Sequence, residues 1–323
     1  MSRLVIVNPT ARRASRNREL LAEMAADPDT ELRETSGPGD AADLARWARS
    51  ERVSEVVSAG GDGTLNEIVN GLAPFRGRPR KDDPGAGTSA AASPVPAVGL
   101  LPLGTGNDVA RSLGLPLDPE DARRVLDGRG IRRTIDLGRV AAEPGRERLF
   151  VNSAVGGVGG LAETRLSARL KRWLGASAYR VAVVSALRDV PRYRITLEWA
   201  GGRESLRAVA YSVILASGSR AGGGIHVAPG ARMDDGLLDV VVIGAGPGKR
   251  VPGLVWSVLR GRHLERDDVT HVRAESVTLR SRPPAWVGVD GEVFGDGTVD
   301  VELLPGALSV IVPRSGDDTS PED

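Results

Sequence analysis

The chain has 323 residues, with 43 lysine and arginine residues against 42 aspartate and glutamate residues, and a formal net charge of +1. This length predicts two domains, the near-neutral charge argues against a nucleic-acid partner, and the absence of cysteine excludes disulfides and thiolate metal sites. Leu4–Val7 is too short an apolar run for a signal peptide, and no later run approaches the roughly 20 apolar residues of a membrane span. We therefore expect a cytoplasmic protein.

The first part of the chain alternates short β-branched runs with stretches of helical periodicity. Leu4–Val7 has the pattern of a buried strand that breaks at Asn8, Pro9 and Thr10, and amphipathic stretches follow. This alternation predicts an α/β domain over residues 1–136, with a mostly parallel sheet covered by helices on both faces. Such a sheet binds ligands at the carboxyl ends of its strands.

The stretch Val56–Leu72 has the pattern of a strand, a tight glycine loop and a helix. Its apolar run stops at Gly60, and the sequence Gly-Gly-Asp-Gly-Thr leads into apolar residues at i, i+3, i+4 and i+7. Thr64 followed by Glu67 predicts a capping box that starts the helix. Phosphate is the expected ligand, because glycines allow close backbone approach and a helix N-terminus is positive. Asp62 could hold Mg²⁺ or a hydroxyl there, and a capped turn without a ligand is the alternative.

A second glycine loop, Pro102–Asp108, follows a predicted strand at Val98–Leu101. Thr105 with Asp108 predicts a second capping box at the start of a short helix. The preceding residues 76–94 have no hydrophobic period and predict a mobile surface insertion. Two glycine loops at neighbouring strand ends could hold one nucleotide, although the sequence contains no lysine-bearing loop of the Walker type.

Beyond Asp136 the pattern changes to short β-branched or alternating runs at fairly regular spacing. These runs predict a second, mainly antiparallel β-rich domain over residues 137–303. The predicted strands are Phe150–Val155, Ile195–Trp199, Ala208–Ala216, Leu237–Ile243, Val272–Leu279, Trp286–Val289 and Val299–Leu303. One more strand is predicted at Leu308–Val312, and the polar residues 314–323 predict a disordered tail.

Two stretches mix apolar residues with arginine at helical spacing, Leu166–Arg180 and Val251–Arg266, the second with Trp256 among its arginines. Such helices usually pack their apolar side on a core, and contact with an anionic membrane surface is the alternative. The stretch Gly157–Ala162 matches a dinucleotide-binding pattern. This pattern also requires an acidic residue at the end of the next strand, about 20 residues after the glycines, and the sequence has none there. An oxidoreductase is therefore disfavoured.

Five motifs stand in order along the chain: Asn8-Pro9-Thr10, Gly60 to Glu67, Pro102 to Asp108, Gly222-Gly223-Gly224 leading to Asp234-Asp235-Gly236, and Val289-Asp290-Gly291-Glu292. Together they resemble the family of soluble diacylglycerol kinases, sphingosine kinases and related lipid kinases, which shares its nucleotide domain with NAD kinases. The resemblance implies a nucleotide-binding catalytic domain at 1–136, which residues 304–313 rejoin. It implies a lipid-binding domain at 137–303.

The resemblance also implies an ATP site in the first domain. The ATP contacts it implies are Asn8, Pro9, Thr10, Ala11, Arg12, Thr35, Gly60, Gly61, Asp62, Gly63, Thr64, Leu65, Asn66 and Thr105. The family usually has a small residue and a glycine after Asn-Pro-X, whereas two arginines follow Ala11 here. The forked donors of arginine could replace that backbone contact with phosphate.

Two metal sites follow from the same resemblance. At the first site, carboxylates and the water molecules that they share bind a catalytic Mg²⁺. At the second site, one carboxylate and two carbonyl oxygens bind a structural metal, and such oxygen ligands suit Mg²⁺. The residues implied are Asp62, Asp108 and Asp136 at the first site and Asp235 with the carbonyls of Arg232 and Leu237 at the second.

The proton acceptor is implied to lie in the last motif. Glu292 resembles the base of the diacylglycerol kinase branch and Asp290 its hydrogen-bonded neighbour. A plain polar hairpin with Asp-Gly geometry is the alternative. In the sphingosine kinase branch the base is the aspartate of the glycine loop, which makes Asp62 the second candidate.

The sequence thus predicts an ATP- and Mg²⁺-dependent lipid kinase that phosphorylates the hydroxyl of diacylglycerol or a similar lipid. The alternatives are a kinase of a long-chain base or of NAD, and a catalytically silent nucleotide-binding regulator. The expected partner is a lipid substrate at a membrane surface, reached by transient peripheral contact from the cytoplasmic side. A homodimer is left open.

Overall fold

The structure is a computed structural model that describes residues 2–74, 95–143, 145–157, 191–247 and 250–314. The predicted insertion at 76–94, the predicted helix at Leu166–Arg180, residues 158–162 of the dinucleotide-like pattern and residues 315–323 of the predicted tail lie outside the described residues. The chain divides into two compact units, residues 1–137 with 304–323 as unit 1 and residues 138–303 as unit 2. Within the described ranges, no helix is both long and apolar enough to cross a membrane.

Unit 1 alternates strands and helices, as predicted. Its elements are β1 (Arg3–Val7), α1 (Arg18–Ala25), β2 (Thr30–Glu34), α2 (Asp40–Ser50), β3 (Glu55–Gly60), α3 (Asp62–Leu72), β4 (Ala97–Pro102), α4 (Asp108–Ser112), α5 (Pro119–Arg124) and the first part of β5 (Gly130–Glu143). Strands β2, β1, β3 and β4 lie in that order and pair in parallel. The last part of β17 (Val299–Pro313) lies parallel to β4, with Val310 opposite Val98.

The register of this parallel sheet brings the predicted ligand loops to one edge. Val7 of β1 lies opposite Ala59 of β3, and Ala59 lies opposite Leu101 of β4. Because all three strands run in the same direction, the loops that follow them start side by side. The side chains of Val7, Ala59 and Leu101 are buried, so the loops emerge from the apolar core of unit 1.

Unit 2 is mainly antiparallel, so the predicted fold class is confirmed for both halves of the chain. Its elements are the rest of β5, β6 (Arg146–Phe150), β7 (Ser153–Gly157), β8 (Tyr193–Trp199), β9 (Glu204–Ala216), β10 (Arg220–Ala221), β11 (Ile225–His226), β12 (Leu238–Gly244), α6 (Val251–Leu259), β13 (Val269–Ala274), β14 (Ser276–Arg282), β15 (Trp286–Val289), β16 (Glu292–Asp296) and the first part of β17. The strand order is β16-β15-β7-β9-β8-β14-β17, and β12 pairs with β9 and β13. Phe150, Leu197, Leu215 and Leu238 are fully buried in its core.

Two predicted strands of unit 2 are each divided in the structure. The predicted strand Phe150–Val155 is broken at Val151 and Asn152, where the chain passes from β6 to β7. The predicted strand Val272–Leu279 is broken at Glu275, between β13 and β14. A break of one or two residues leaves the hydrophobic pattern almost unchanged, which is why periodicity did not reveal it.

Other predicted boundaries differ near proline and glycine: the break predicted at Pro305 and Gly306 is absent, whereas the helix predicted to run through Gly261 stops before it. The strands predicted on either side of Pro305 and Gly306 form one strand, β17, in which Gly306 takes a positive φ of 57°. The helix predicted over Val251–Arg266 ends at Leu259, and a single turn of 3-10 helix follows later.

Candidate active site

The first glycine loop lies between β3 and α3. Helix α3 begins at Asp62, preceded by Gly61 in extended backbone (φ −109°, ψ −172°), and no side chain caps it. The predicted capping box of Thr64 and Glu67 is therefore wrong. The hydroxyl of Thr64 accepts a hydrogen bond from Asn8 at 3.2 Å, and Glu67 accepts one from the backbone just before α2 at 3.0 Å. A helix start without a capping side chain suits an anionic ligand.

The second glycine loop, between β4 and α4, touches the first through the backbone. The carbonyl oxygen of Gly60 accepts hydrogen bonds from the amides of Leu103 at 2.9 Å and Gly104 at 3.0 Å. A Cβ atom at Gly104 would lie 2.4 Å from the Cα of Gly61, closer than any side chain can approach. The two loops therefore form one continuous backbone surface.

Asn107 holds the second loop in place. Helix α4 begins at Asp108, and Asn107 precedes it in left-handed backbone with φ 51° and no side-chain cap, so the predicted capping by Thr105 is wrong. The amide group of Asn107 accepts a hydrogen bond from the Gly104 amide at 3.1 Å and donates one to the Gly104 carbonyl at 3.2 Å. Sequence reasoning included Asn107 in the motif Pro102 to Asp108 but gave it no role. The available signal was an asparagine after Gly106, because asparagine tolerates left-handed backbone.

The loop after β1 packs beside both glycine loops. Asn8 accepts hydrogen bonds from the amide and hydroxyl of Thr10 at 3.0 and 2.8 Å and donates one to Thr64. The backbone amide of Arg13 donates to the second glycine loop at 3.0 Å, and its guanidinium donates to a carbonyl before α5 at 2.7 Å. Arg13 thus supports the loops, and Arg12 is exposed beside them.

The remaining predicted ATP contacts lie at or just behind the same edge of the sheet. Thr35 follows β2, and its amide donates to the carbonyl of Val7 at 2.8 Å. Leu65 and Asn66 are 3% and 2% exposed and pack into unit 1. Pro9 and Ala11 belong to the loop after β1, Gly63 to the first turn of α3, and Thr105 to the second glycine loop. The structure brings these residues together, and their contacts with a nucleotide stay a prediction.

The three carboxylates predicted to share a metal all belong to unit 1. Asp62 accepts a hydrogen bond from the Val109 amide at 3.1 Å, and the buried Asp136 accepts one from the Gly306 amide at 2.7 Å. Asp108 is also buried. Within the described ranges, no three acidic or histidine side chains form a group that could hold a metal. Hard carboxylate oxygens suit a Mg²⁺ ion bound partly through water, and this role stays a prediction.

In unit 2 the backbone of the last motif, Val289 to Glu292, forms the Asp-Gly hairpin that was predicted as the alternative. Asp290 and Gly291 join β15 to β16 with φ values of 46° and 83°, typical of a two-residue turn. The carboxylate of Asp290 accepts hydrogen bonds from the amides of Val151 at 2.8 Å, Asn152 at 3.0 Å and Ser153 at 2.9 Å. Asp290 therefore fixes the turn between β6 and β7.

Glu292, the first residue of β16, is exposed and forms an ion pair with Arg148 of β6. The Glu292 side chain is 46% exposed and that of Arg148 is 24% exposed. Sequence reasoning missed Arg148, because the two residues are 144 positions apart and no local pattern links them. The ion pair holds the Glu292 carboxylate beside β6.

The residues of the predicted structural metal site are held by other contacts. Asp235 accepts a hydrogen bond from the Leu237 amide at 3.1 Å and pairs with the guanidinium of Arg273. The guanidinium of Arg232 pairs with Asp234 at 3.2 Å. The guanidinium of Arg273 competes with a metal ion for the Asp235 carboxylate, and the structural metal site stays a prediction.

Replacing the carboxylate of Asp290 is expected to destabilise unit 2. Asp290→Asn keeps one acceptor oxygen and places an NH₂ group against a backbone amide, which removes at least one charge-assisted bond. We expect the free energy of unfolding to fall by about 1.5 to 3 kcal/mol, measured by urea unfolding. Asp300→Asn is the matched control, since the exposed Asp300 accepts a single bond from Thr278 at 2.6 Å. Equal effects of the two substitutions would contradict a structural role for Asp290.

Family models match both halves of the chain. Residues 2–140 match the diacylglycerol kinase catalytic domain, and residues 153–312 match the YegS C-terminal NAD kinase beta sandwich-like domain. A protein of Chromohalobacter salexigens named "Probable lipid kinase YegS-like" is 31% identical over 283 residues, which are 88% of this chain and 84% of that protein. The diacylglycerol kinase of Bacillus subtilis is 28% identical over an aligned length of 323 that covers 96% of each protein.

Solved structures have the same fold. A crystal structure of a diacylglycerol kinase from Bacillus anthracis is 22% identical and covers 97% of both chains with a TM-score of 0.69. Yeast NADH kinase complexed with NADH is 13% identical and covers 99% of this chain and 85% of that chain, with a TM-score of 0.53. At these identities the likeness extends to the fold alone. The predicted kinship with NAD kinases is confirmed at that level.

Proposed function

Because the chain belongs to the family of YegS-like lipid kinases and diacylglycerol kinases, we propose that it transfers the γ-phosphoryl group of ATP to the hydroxyl of diacylglycerol or a closely similar lipid. As a member of this kinase family it is a phosphotransferase. The observation that carries the proposal is the backbone contact between two glycine loops at the carboxyl edge of the parallel sheet of unit 1.

The two glycine loops support a triphosphate site that needs no lysine. Helices α3 and α4 both begin at these loops, and neither has a side-chain cap. Backbone amides at a helix start, together with the positive end of the helix dipole, bind phosphate oxygens. The contact between Gly61 and Gly104 lets a ligand meet both loops at once.

Asp62, Asp108 and Asp136 form no metal-binding group by themselves, so they are proposed to hold Mg²⁺ together with phosphate oxygens of ATP and water. Bound Mg²⁺ would neutralise the charge that develops on the phosphate oxygens. The amides of Val109 and Gly306 orient Asp62 and Asp136 before any ion binds.

Glu292 is proposed to take the proton of the lipid hydroxyl. In this step the hydroxyl oxygen bonds to the γ-phosphorus, the bond from that phosphorus to the leaving oxygen of ADP breaks, and the proton passes to the carboxylate. Arg148 holds the Glu292 carboxylate by an ion pair, and Asp290 fixes the adjoining turn. Asp62 is the second candidate for the base.

The proposal is tested with the full chain and ATP in the presence of micellar diacylglycerol, a long-chain base or NAD. We expect phosphatidate to be the main product, and we expect turnover to stop when EDTA removes Mg²⁺. Phosphorylation of NAD alone would contradict a lipid kinase, and preference for the long-chain base would change the acceptor. ATP binding without turnover on any acceptor would favour a silent regulator.

A further inference from the structure

Helix α6 of unit 2 is apolar on both of its sides. Its sequence, VPGLVWSVL, contains no charged residue. On the inner side Leu254 is buried and packs with Tyr211, and Val251 and Val258 are partly buried around them. A helix that is apolar all round is usually either fully enclosed by protein or in contact with lipid.

The outer side of α6 is exposed. Pro252, Trp256 and Leu259 are spaced at i, i+4 and i+7 and lie on one side, which we call the outer face. Trp256 is 57% exposed, the highest value among the large hydrophobic side chains of the described ranges, and Leu259 is 47% exposed. The outer face is thus a continuous apolar stripe, unlike the scattered apolar residues of an ordinary surface.

Arginine residues flank the outer face. The guanidinium of Arg260 lies over the ring of Trp256, 4.3 Å from its centroid, and no ion pair joins Arg260 to another residue in the described part of the chain. Arg250 and Arg262 stand near the two ends of α6, each paired with a carboxylate at 3.2 Å. The partner of Arg262 is 65% exposed, so that pair contributes little and can exchange for another anion. The nearer partner of Arg250 is 76% exposed, and Arg250 also lies 4.0 Å from the mostly buried Asp268.

We propose that the outer face of α6 docks unit 2 onto an anionic phospholipid bilayer, with Trp256 and Leu259 in the headgroup region and Arg260 on lipid phosphate. Tryptophan is enriched at this depth, and arginine keeps its charge among the headgroups while its stem lies on apolar surface. A second copy of the chain fits less well, because a symmetric contact would place like charges of Arg260 together. The inference rests on the proposed lipid acceptor, which stays in the bilayer.

Docking is tested by sedimentation with vesicles of phosphatidylcholine, with and without phosphatidylglycerol, in the absence of ATP. Trp256→Ala is expected to lower the partition coefficient about tenfold or more, because a large apolar side chain no longer leaves water. Arg260→Gln is expected to lower the partition coefficient about fivefold on vesicles that contain phosphatidylglycerol, and to leave it unchanged on vesicles of phosphatidylcholine alone. Trp47→Ala is the matched control, since Arg33 lies 3.6 Å from the Trp47 ring in unit 1, and we expect no change.

Three results would overturn the docking. They are equal binding by the wild type and Trp256→Ala, no binding of the wild type to either vesicle, and a dimer in the absence of lipid that Trp256→Ala abolishes. Phosphorylation of a dispersed short-chain diacylglycerol is measured separately and should be unchanged in Trp256→Ala. Absence of that turnover in the wild type would refute the proposed reaction while leaving the vesicle result intact.

Discussion

Glu292→Gln is expected to lower kcat for lipid phosphorylation by about 10²-fold or more, because glutamine cannot accept the proton of the attacking hydroxyl. The side chain is exposed at the first position of β16, so the substitution should leave the free energy of unfolding within about 0.5 kcal/mol of wild type. ATP affinity should also be unchanged, since the predicted ATP contacts belong to unit 1. The measurements are steady-state kinetics with micellar diacylglycerol, nucleotide titration and urea unfolding.

Glu198→Gln is the matched control for that prediction. Glu198 is also a partly exposed glutamate of unit 2 in an ion pair, with Arg280 at 2.7 Å, so its substitution removes a similar charge pair away from the last motif. We expect its kcat to match wild type. If Glu292→Gln stays within about threefold of wild type, a base role for Glu292 is refuted. A large loss of kcat in Asp62→Asn with the Mg²⁺ dependence of turnover unchanged would then favour the second candidate.

The fold class could be predicted because it depends on local periodicity. Alternating strand and helix patterns in the first part and short strands in the second are properties of neighbouring residues. A predicted strand boundary was wrong where a residue distant in the sequence determines the position of the turn. The break at Val151 and Asn152 is held by Asp290, and Asn152 and Asp290 are 138 positions apart, so the hydrophobic pattern carries no trace of it.

The candidate site was only partly predictable, for a similar reason. The glycine loops were found because a strand, a glycine cluster and a helix follow one another directly in the sequence. The capping box failed because Thr64 lies inside the first turn of α3, where its hydroxyl bonds to Asn8 instead of the backbone. Arg148 was missed, since its ion pair with Glu292 exists only in the folded chain.

Gly104→Ala is expected to separate the two glycine loops and weaken ATP binding about tenfold or more. The new Cβ atom would lie 2.4 Å from the Cα of Gly61 and 2.8 Å from the side-chain oxygen of Asn107. Neither neighbour can rotate away easily, because one is backbone and the other is buried and bonded to the loop. Overpacking of this kind typically costs about 1 to 3 kcal/mol of stability. Nucleotide titration and urea unfolding measure the two effects.

Gly37→Ala is the control that separates a steric effect from a general effect of replacing glycine. Gly37 lies in a loop of the same unit, and a Cβ atom there would meet no atom within 4 Å. Its ATP affinity and unfolding free energy should therefore stay close to wild type. A Gly104→Ala variant that loses stability but binds ATP normally would show that the loop contact only supports the fold. Because phosphate binding by backbone amides depends on the exact course of the chain, we expect affinity and stability to fall together.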